Sequence, residues 1–282
     1  MVAIAFALVS AALYGSADFA GGMAVRRNGS TFGVVFVTQL VGLVGIAIVA
    51  PIYGASHVTL SDFAWGAAAG ICGGVGLALF YRALALGTMS VVSPVTGVVS
   101  AAVPVGVGLL LGERPTIAAA IGIVLAIAAV AMFGGGASGS GTGLASATRS
   151  LMPAILAGAG FGGFFSLLSE THHGAGLWPI VSARLAACVL YLVVSRVRHA
   201  PLRVRNTALA ITVAAGVGDV LANAVFLTAS RHGDLAIVGV IGALYPASTL
   251  VLARFVLDER LVIHQRVALG VAALAVVLIA VA

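Results

Sequence analysis

Lysine is absent from the 282 residues, so all 14 basic side chains are arginines. Charge of either sign is scarce at 8%, against 61% hydrophobic residues and a mean hydropathy of +1.20. That leaves too little polar surface to coat a globule in water, which excludes a soluble enzyme and makes lipid the solvent. No basic cluster is interleaved with aromatics, so nucleic acid is not an expected partner. The two cysteines, Cys72 and Cys188, both lie inside apolar runs, which excludes a disulfide framework. The Gly/Ser-rich stretch 134–149 has neither the lysine nor the preceding strand of a phosphate loop, so ATP-driven transport by this chain alone is not expected. His172 and His173 are adjacent rather than spaced for a metal, and no metal or cofactor is expected. Met1 opens directly on an apolar run with no charge before it, which fits a first membrane helix rather than a cleaved leader.

What the chain has is long apolar runs. A span of the hydrocarbon core takes roughly 20 apolar residues, and ten such runs fall at 2–24, 32–53, 62–86, 88–111, 116–134, 151–170, 176–196, 208–230, 234–257 and 263–282. The stretch 80–114 recurs 146 positions later as 226–260, with nine of 35 positions identical, a glycine before each apolar run and Glu-Arg closing it. The expected architecture is an all-α membrane protein of ten transmembrane helices, built as two five-helix repeats around a central cavity. Residues 1–134 form the first repeat, 135–149 a flexible linker and 150–282 the second. Five is odd, so the second repeat enters the membrane inverted relative to the first.

Eleven arginines lie in or nearest the odd-numbered loops, against three (Arg114, Arg184, Arg231) for the even ones. By the positive-inside rule the odd loops are cytoplasmic and both termini are not. The basic segment 196–205 dominates that count.

An ionisable group at membrane depth costs a few kcal/mol or more and faces protein or water rather than acyl chains. Asp219 and Asn223 share a helix face with Gly216 and Phe226 in run 8, a candidate substrate or proton site, with a plain interhelical hydrogen bond as the alternative. Arg184 lies on a stripe with Cys188, Tyr191 and Ser195 in run 7, and an Arg184–Asp219 pair is expected, either structural or used to hold a carboxylate. Asp18 follows Tyr14 by one turn in run 1, where the competing reading is an interfacial pair with Arg26 or Arg27. Tyr14 and Phe161 are candidate aromatic walls, and packing is their simpler use. Ser93, Pro94, Thr96 and Ser100 in run 4, and Pro246 and Thr249 in run 9, mark interrupted helices expected to line the cavity; kinks made only for packing are the alternative. Gly66, Gly70, Gly73, Gly74 and Gly76 give run 3 the spacing for close helix contact.

Gly112-Glu113-Arg114, its counterpart Asp258-Glu259-Arg260, and the Tyr14-Gly-Ser start resemble the EamA-type, ten-helix branch of the drug/metabolite transporter superfamily. The resemblance covers nearly the whole chain. It implies a secondary transporter of a bacterial plasma membrane, an exporter of amino acids, related metabolites or drugs, with helices 1–4 and 6–9 lining a central cavity. Family members commonly carry a basic loop after helix 2 and keep their termini inside; here 54–62 has no arginine. The expected function is therefore alternating-access export of small metabolites such as amino acids, open to proton coupling. The expected partners are a small-molecule substrate and the lipid bilayer, and the chain is read as a monomer. A multidrug exporter of lipophilic cations is the nearest alternative; a channel or a structural membrane protein is the alternative of another class. An enzyme is not expected, since the histidines sit mostly near loops.

Overall fold

The computed structural model describes residues 1–28, 31–86, 89–133, 144–256 and 263–281, and every regular element in them is helical. The first repeat contributes α1 (Val2–Asn28), α2 (Thr31–Tyr53), α3 (Leu60–Leu86), α4 (Met89–Leu110) and α5 (Ile117–Phe133). The second contributes α6 (Leu144–Ser169), α7 (Trp178–Arg198), α8 (Asn206–Ser230), α9 (Leu235–Gly242), α10 (Tyr245–Val256) and α11 (Ile263–Ala280). α1, α2, α3, α6, α7 and α8 each contain a stretch long and apolar enough to cross a membrane, and the other spans carry shorter apolar segments. With many large apolar side chains exposed around the bundle, among them Val44, Ile48, Val124, Leu185 and Val189, the chain is an integral membrane protein.

Two differences from the expected runs have physical causes. Run 9 is two helices, because Pro246 has no N–H to continue the ladder; Ala243 N–H closes α9 on Gly239 O and Leu244 N–H turns back to Ile241 O. Run 4 was expected to be interrupted in the same way, yet α4 is continuous through Pro94 and Pro104, each proline removing one bond that the rest of the helix spans. The last six residues of the expected linker are helical, opening α6 at Leu144. The remainder of the linker, and Asp258 to Arg260, lie outside the described residues.

The helices pair symmetrically. α1 packs on α8 as α3 packs on α6, α2 on α8 as α7 on α3, and α4 on α6 as the α9–α10 span on α1. Exchanging the two halves carries each pairing into its mate, while α2 with α7, α4 with α9 and α5 with α11 map onto themselves. This is the contact pattern of two repeats related by a pseudo-two-fold axis.

Glycine sets the closest approaches. A Cβ on Gly66 would collide with the Pro179 carbonyl oxygen and one on Gly70 with that of Ala183, so α3 and α7 meet almost backbone to backbone. At the start of α3 a capping box forms: Thr59 Oγ1 accepts from Asp62 N–H at 3.3 Å, and Asp62 Oδ2 accepts from Thr59 N–H at 2.9 Å. The other Asp62 oxygen reaches the second repeat, accepting His172 N–H at 2.8 Å and meeting His172 Nδ1 at 3.0 Å. Arg231 donates to the carbonyls of His172 (3.2 Å) and Gly176 (2.8 Å) on the same face. The loop between α2 and α3 is thereby tied to the loop between α6 and α7.

Candidate functional site

Small residues on α3 leave a void between the halves. The cavity there, about 650 Å³ counted out to its open mouth, receives side chains from α1, α2, α3, α6, α7, α8 and α10. Asp219 stands midway along the 25-residue α8, and Arg184 comes from the inward face of α7. Arg184 Nη1 donates to Asp219 Oδ2 and to Gln39 Oε1 of α2, both at 2.5 Å. Arg184 is 6% and Asp219 29% exposed, so both line the cavity but the carboxylate shows it more of itself than the guanidinium does.

The network runs on. Asn223 Nδ2 donates to the Asp219 main-chain oxygen at 2.6 Å, and Tyr14 Oη donates to Asn223 Oδ1 at 2.9 Å. Gln39, Arg184, Asp219, Asn223 and Tyr14 thus form one chain of bonds across α2, α7, α8 and α1. Asp18 lines the same cavity and, among the described residues, makes no hydrogen bond or ion pair. With Asp18, Asp219 and Arg184 all ionised, the charged groups lining the cavity sum to minus one.

The opposite wall is apolar. Gly73 and Leu77 of α3 occupy the repeat positions of Asp219 and Asn223, and Phe164 of α6 that of Asp18, 146 positions away. All three line the cavity with Phe161 and Phe165. Phe165 stacks on Phe226 at 4.3 Å between ring centroids and meets Tyr14 edge-on at 5.7 Å, which joins the two walls. One duplicated scaffold therefore carries a hydrogen-bonding side on α1 and α8 and a greasy side on α3 and α6.

Of the candidates read from sequence, the cavity gathers Tyr14, Asp18, Phe161, Arg184, Asp219 and Asn223. Tyr191 lies outside it, buried, with its hydroxyl donating to Gly74 O at 2.7 Å. Thr96, Ser100, Pro246 and Thr249 do not line it either. Thr96 Oγ1 donates to Ala154 O of α6, Ser100 Oγ to Gly97 O, and Thr249 Oγ1 to Gly15 O of α1. Those hydroxyls are consumed in helix contacts. Ser93 and Pro94 sit on α4 with their side chains outside the described residues. The interfacial pairing considered for Asp18 is not made to any described arginine side chain.

Two polar cavity residues escaped the sequence reading, as did the apolar wall of Leu77, Phe164 and Phe165. Gln39 gave a usable signal, a lone amide inside an apolar run like Asn223. Tyr245 gave little, since an aromatic beside a proline reads as packing; its hydroxyl is buried without a hydrogen-bond partner among the described residues.

No protein in the curated collection of sequences matches this chain at a significant level. Among 27 solved chains that do match, one crystal structure, described only as that of a protein, superposes with a TM-score of 0.78 at 15% identity. It covers 98% of this chain and 95% of the other, a likeness of fold. The sequence model of the EamA-like transporter family matches twice, over residues 1–135 and 148–281, one copy to each half of the bundle. The chain belongs to the EamA-like transporter family.

Proposed function

We propose that this transporter is a secondary active exporter of small amphipathic metabolites, with amino acids of apolar side chain as the substrate class, and that it is coupled to protons through Asp18. The observation that carries the reading is the two-sided cavity. A zwitterionic head fits the wall of Arg184, Asp219, Asn223 and Asp18, and an apolar side chain fits the wall of Phe161, Phe164 and Leu77. A substrate carboxylate competes with Asp219 for the Arg184 guanidinium, and the substrate ammonium is received by a carboxylate. Among the described side chains Asp18 has no cation of its own, so it is the group left to take up or release a proton as the cavity changes sides.

The transport cycle is alternating access, the two inverted halves rocking about the cavity. The arginine distribution supports cytoplasmic odd loops and non-cytoplasmic termini in a bacterial plasma membrane. The working unit is a monomer, since the cavity is completed within one chain, and the chain performs no covalent chemistry.

Reconstitution into liposomes with labelled amino acids, with and without a proton gradient, tests the reading. Saturable, gradient-dependent flux that is lost in Arg184→Gln is the expected result. Flux linear in concentration and indifferent to Arg184→Gln and Asp18→Asn would remove it. Export of lipophilic cations is the second reading, favoured by two carboxylates against one guanidinium beside three phenylalanines. Saturable drug efflux abolished in Asp219→Asn, with no amino-acid flux, would select it.

A further inference from the structure

Three points along α4 touch the broken ninth span in succession. At its C-terminus α4 closes in a Schellman turn: Glu113 N–H donates to Gly108 O at 2.9 Å and Gly112 N–H to Leu109 O at 3.2 Å. Gly112 has φ 96°, a backbone conformation that suits glycine. The turn carries the Glu113 carboxylate across to the second repeat. There Oε1 accepts the N–H of Leu235 at 2.7 Å and Oε2 that of Ala236 at 2.9 Å. These are the first two amides of α9, at the positive end of its dipole. Gly108 keeps the place open, since a Cβ there would collide with the Glu113 carboxylate.

Further along, α4 and α9 cross at Pro104 and Gly239, where a Cβ on Gly239 would lie 2.5 Å from Pro104 Cγ. The crossing has no slack. Beyond it α9 ends at Gly242, and Tyr245 turns into the cavity with Ser100 of α4 as a neighbour. The Tyr245 hydroxyl is held by no hydrogen bond there among the described residues. One end of the seam is therefore clamped by a carboxylate on two amides, the middle is a close-packed pivot, and the far end is the Tyr245 side chain, at the cavity beside Ser100 of α4.

We propose that Glu113 is the clamp of a gate on the face where the chain termini lie. It fixes the outer end of α9 to α4 and, across the Pro104–Gly239 pivot, positions Tyr245, so the cavity opens to that face only when both Glu113 bonds break. The purpose of such a gate rests on the alternating-access reading above, but the gate is tested without any substrate, so its failure is separable from a failure of that reading.

In the full-length chain, Cys72→Ser and Cys188→Ala remove the native thiols and Leu77→Cys places one in the cavity. Labelling by a membrane-impermeant maleimide is then measured from each face in sealed vesicles of defined orientation. Glu113→Ala raises the labelling rate from the face of the termini by about fivefold, the shift expected from losing one helix cap of ordinary strength, and lowers it from the other face. Glu113→Gln, which keeps one accepting oxygen, gives a smaller change in the same directions. Labelling from the face of the termini that stays at the parent rate in a monodisperse Glu113→Ala protein overturns the proposal. Should Glu113→Ala not fold, Glu113→Gln decides alone: a rate equal to that of the parent counts against the clamp and an elevated one for it.

Discussion

Asp18 and Asp219 face one cavity from the packed helices α1 and α8, yet among the described side chains only Asp219 is met by a cation, its Oδ2 2.5 Å from Arg184 Nη1. Two carboxylates of the same chemistry are thereby given different work. The paired one is bound into the network of Gln39, Arg184 and Asn223, and the unpaired one makes no hydrogen bond or ion pair among the described residues.

That division separates two variants. Asp18→Asn abolishes gradient-driven flux, by about tenfold or more if proton uptake is needed for the cavity to change sides, while substrate-for-substrate exchange across the liposome persists. Asp219→Asn weakens both. The measurement is driven flux against exchange at equal internal and external pH. Retention of gradient-driven flux in Asp18→Asn would assign coupling elsewhere.

Breaking the buried pair from one side is costly. Arg184→Gln leaves Asp219 without its cation and is expected to lower stability by about 3 kcal/mol, the scale for removing one partner of a buried ion pair, read as a fall in melting temperature in detergent. The double swap Arg184→Asp with Asp219→Arg restores most of the melting temperature. Transport stays lost in the swap, because a substrate carboxylate meets the cation from the wrong helix.

Glycine substitutions should sort by what they meet. Gly70→Ala drives a methyl group into the Ala183 carbonyl and forces α3 away from α7, an overpacking cost of about 1–3 kcal/mol. Gly22→Ala, with nothing within 4 Å, leaves the melting temperature unchanged or slightly raised. Equal effects at the two sites would mean that the contact of α3 with α7 is looser than described.

The loop staple on the face of the termini has its own signature. Asp62→Ala removes the acceptor for Thr59 and His172 together. At roughly 0.5–1.5 kcal/mol for each hydrogen bond, more where charge assists, the loss appears as faster amide exchange over 170–177 before any change in the bundle. Unaltered exchange there would show the loop to be held by Arg231 and by the Ser56 and His57 amides on Gly174 O.

How much of this was legible beforehand depended on which signal each feature leaves. Hydropathy locates helices because a lipid-crossing segment must be apolar for its whole length, and α2, α3 and α8 begin and end within two residues of the runs that announced them. The Arg184–Asp219 pair was legible for the same reason, as isolated charges in apolar runs have few places to go. Proline was the poor guide. Pro246 stands where a helix breaks and Pro94 and Pro104 do not, because one missing N–H can be spanned by a helix or can mark its break, and the proline alone does not say which. The hydroxyls beside those prolines misled in the same way, since a serine or threonine can close on a carbonyl as readily as it can face a void. The Gly112-Glu113-Arg114 motif was visible as a mark of the repeat, but its use was not: a carboxylate capping a helix 122 positions away requires the fold first.

The polar and greasy walls of the cavity come from repeat-related positions that have diverged. A symmetric scaffold thus encloses a lopsided chamber, its two walls unlike in chemistry. Neither half could assemble that chamber as a homodimer, because two first halves would lack Arg184, Asp219 and Asn223, and two second halves would lack Asp18 and Gln39. Fusion of the copies into one polypeptide is what guarantees that each chamber receives one of each kind.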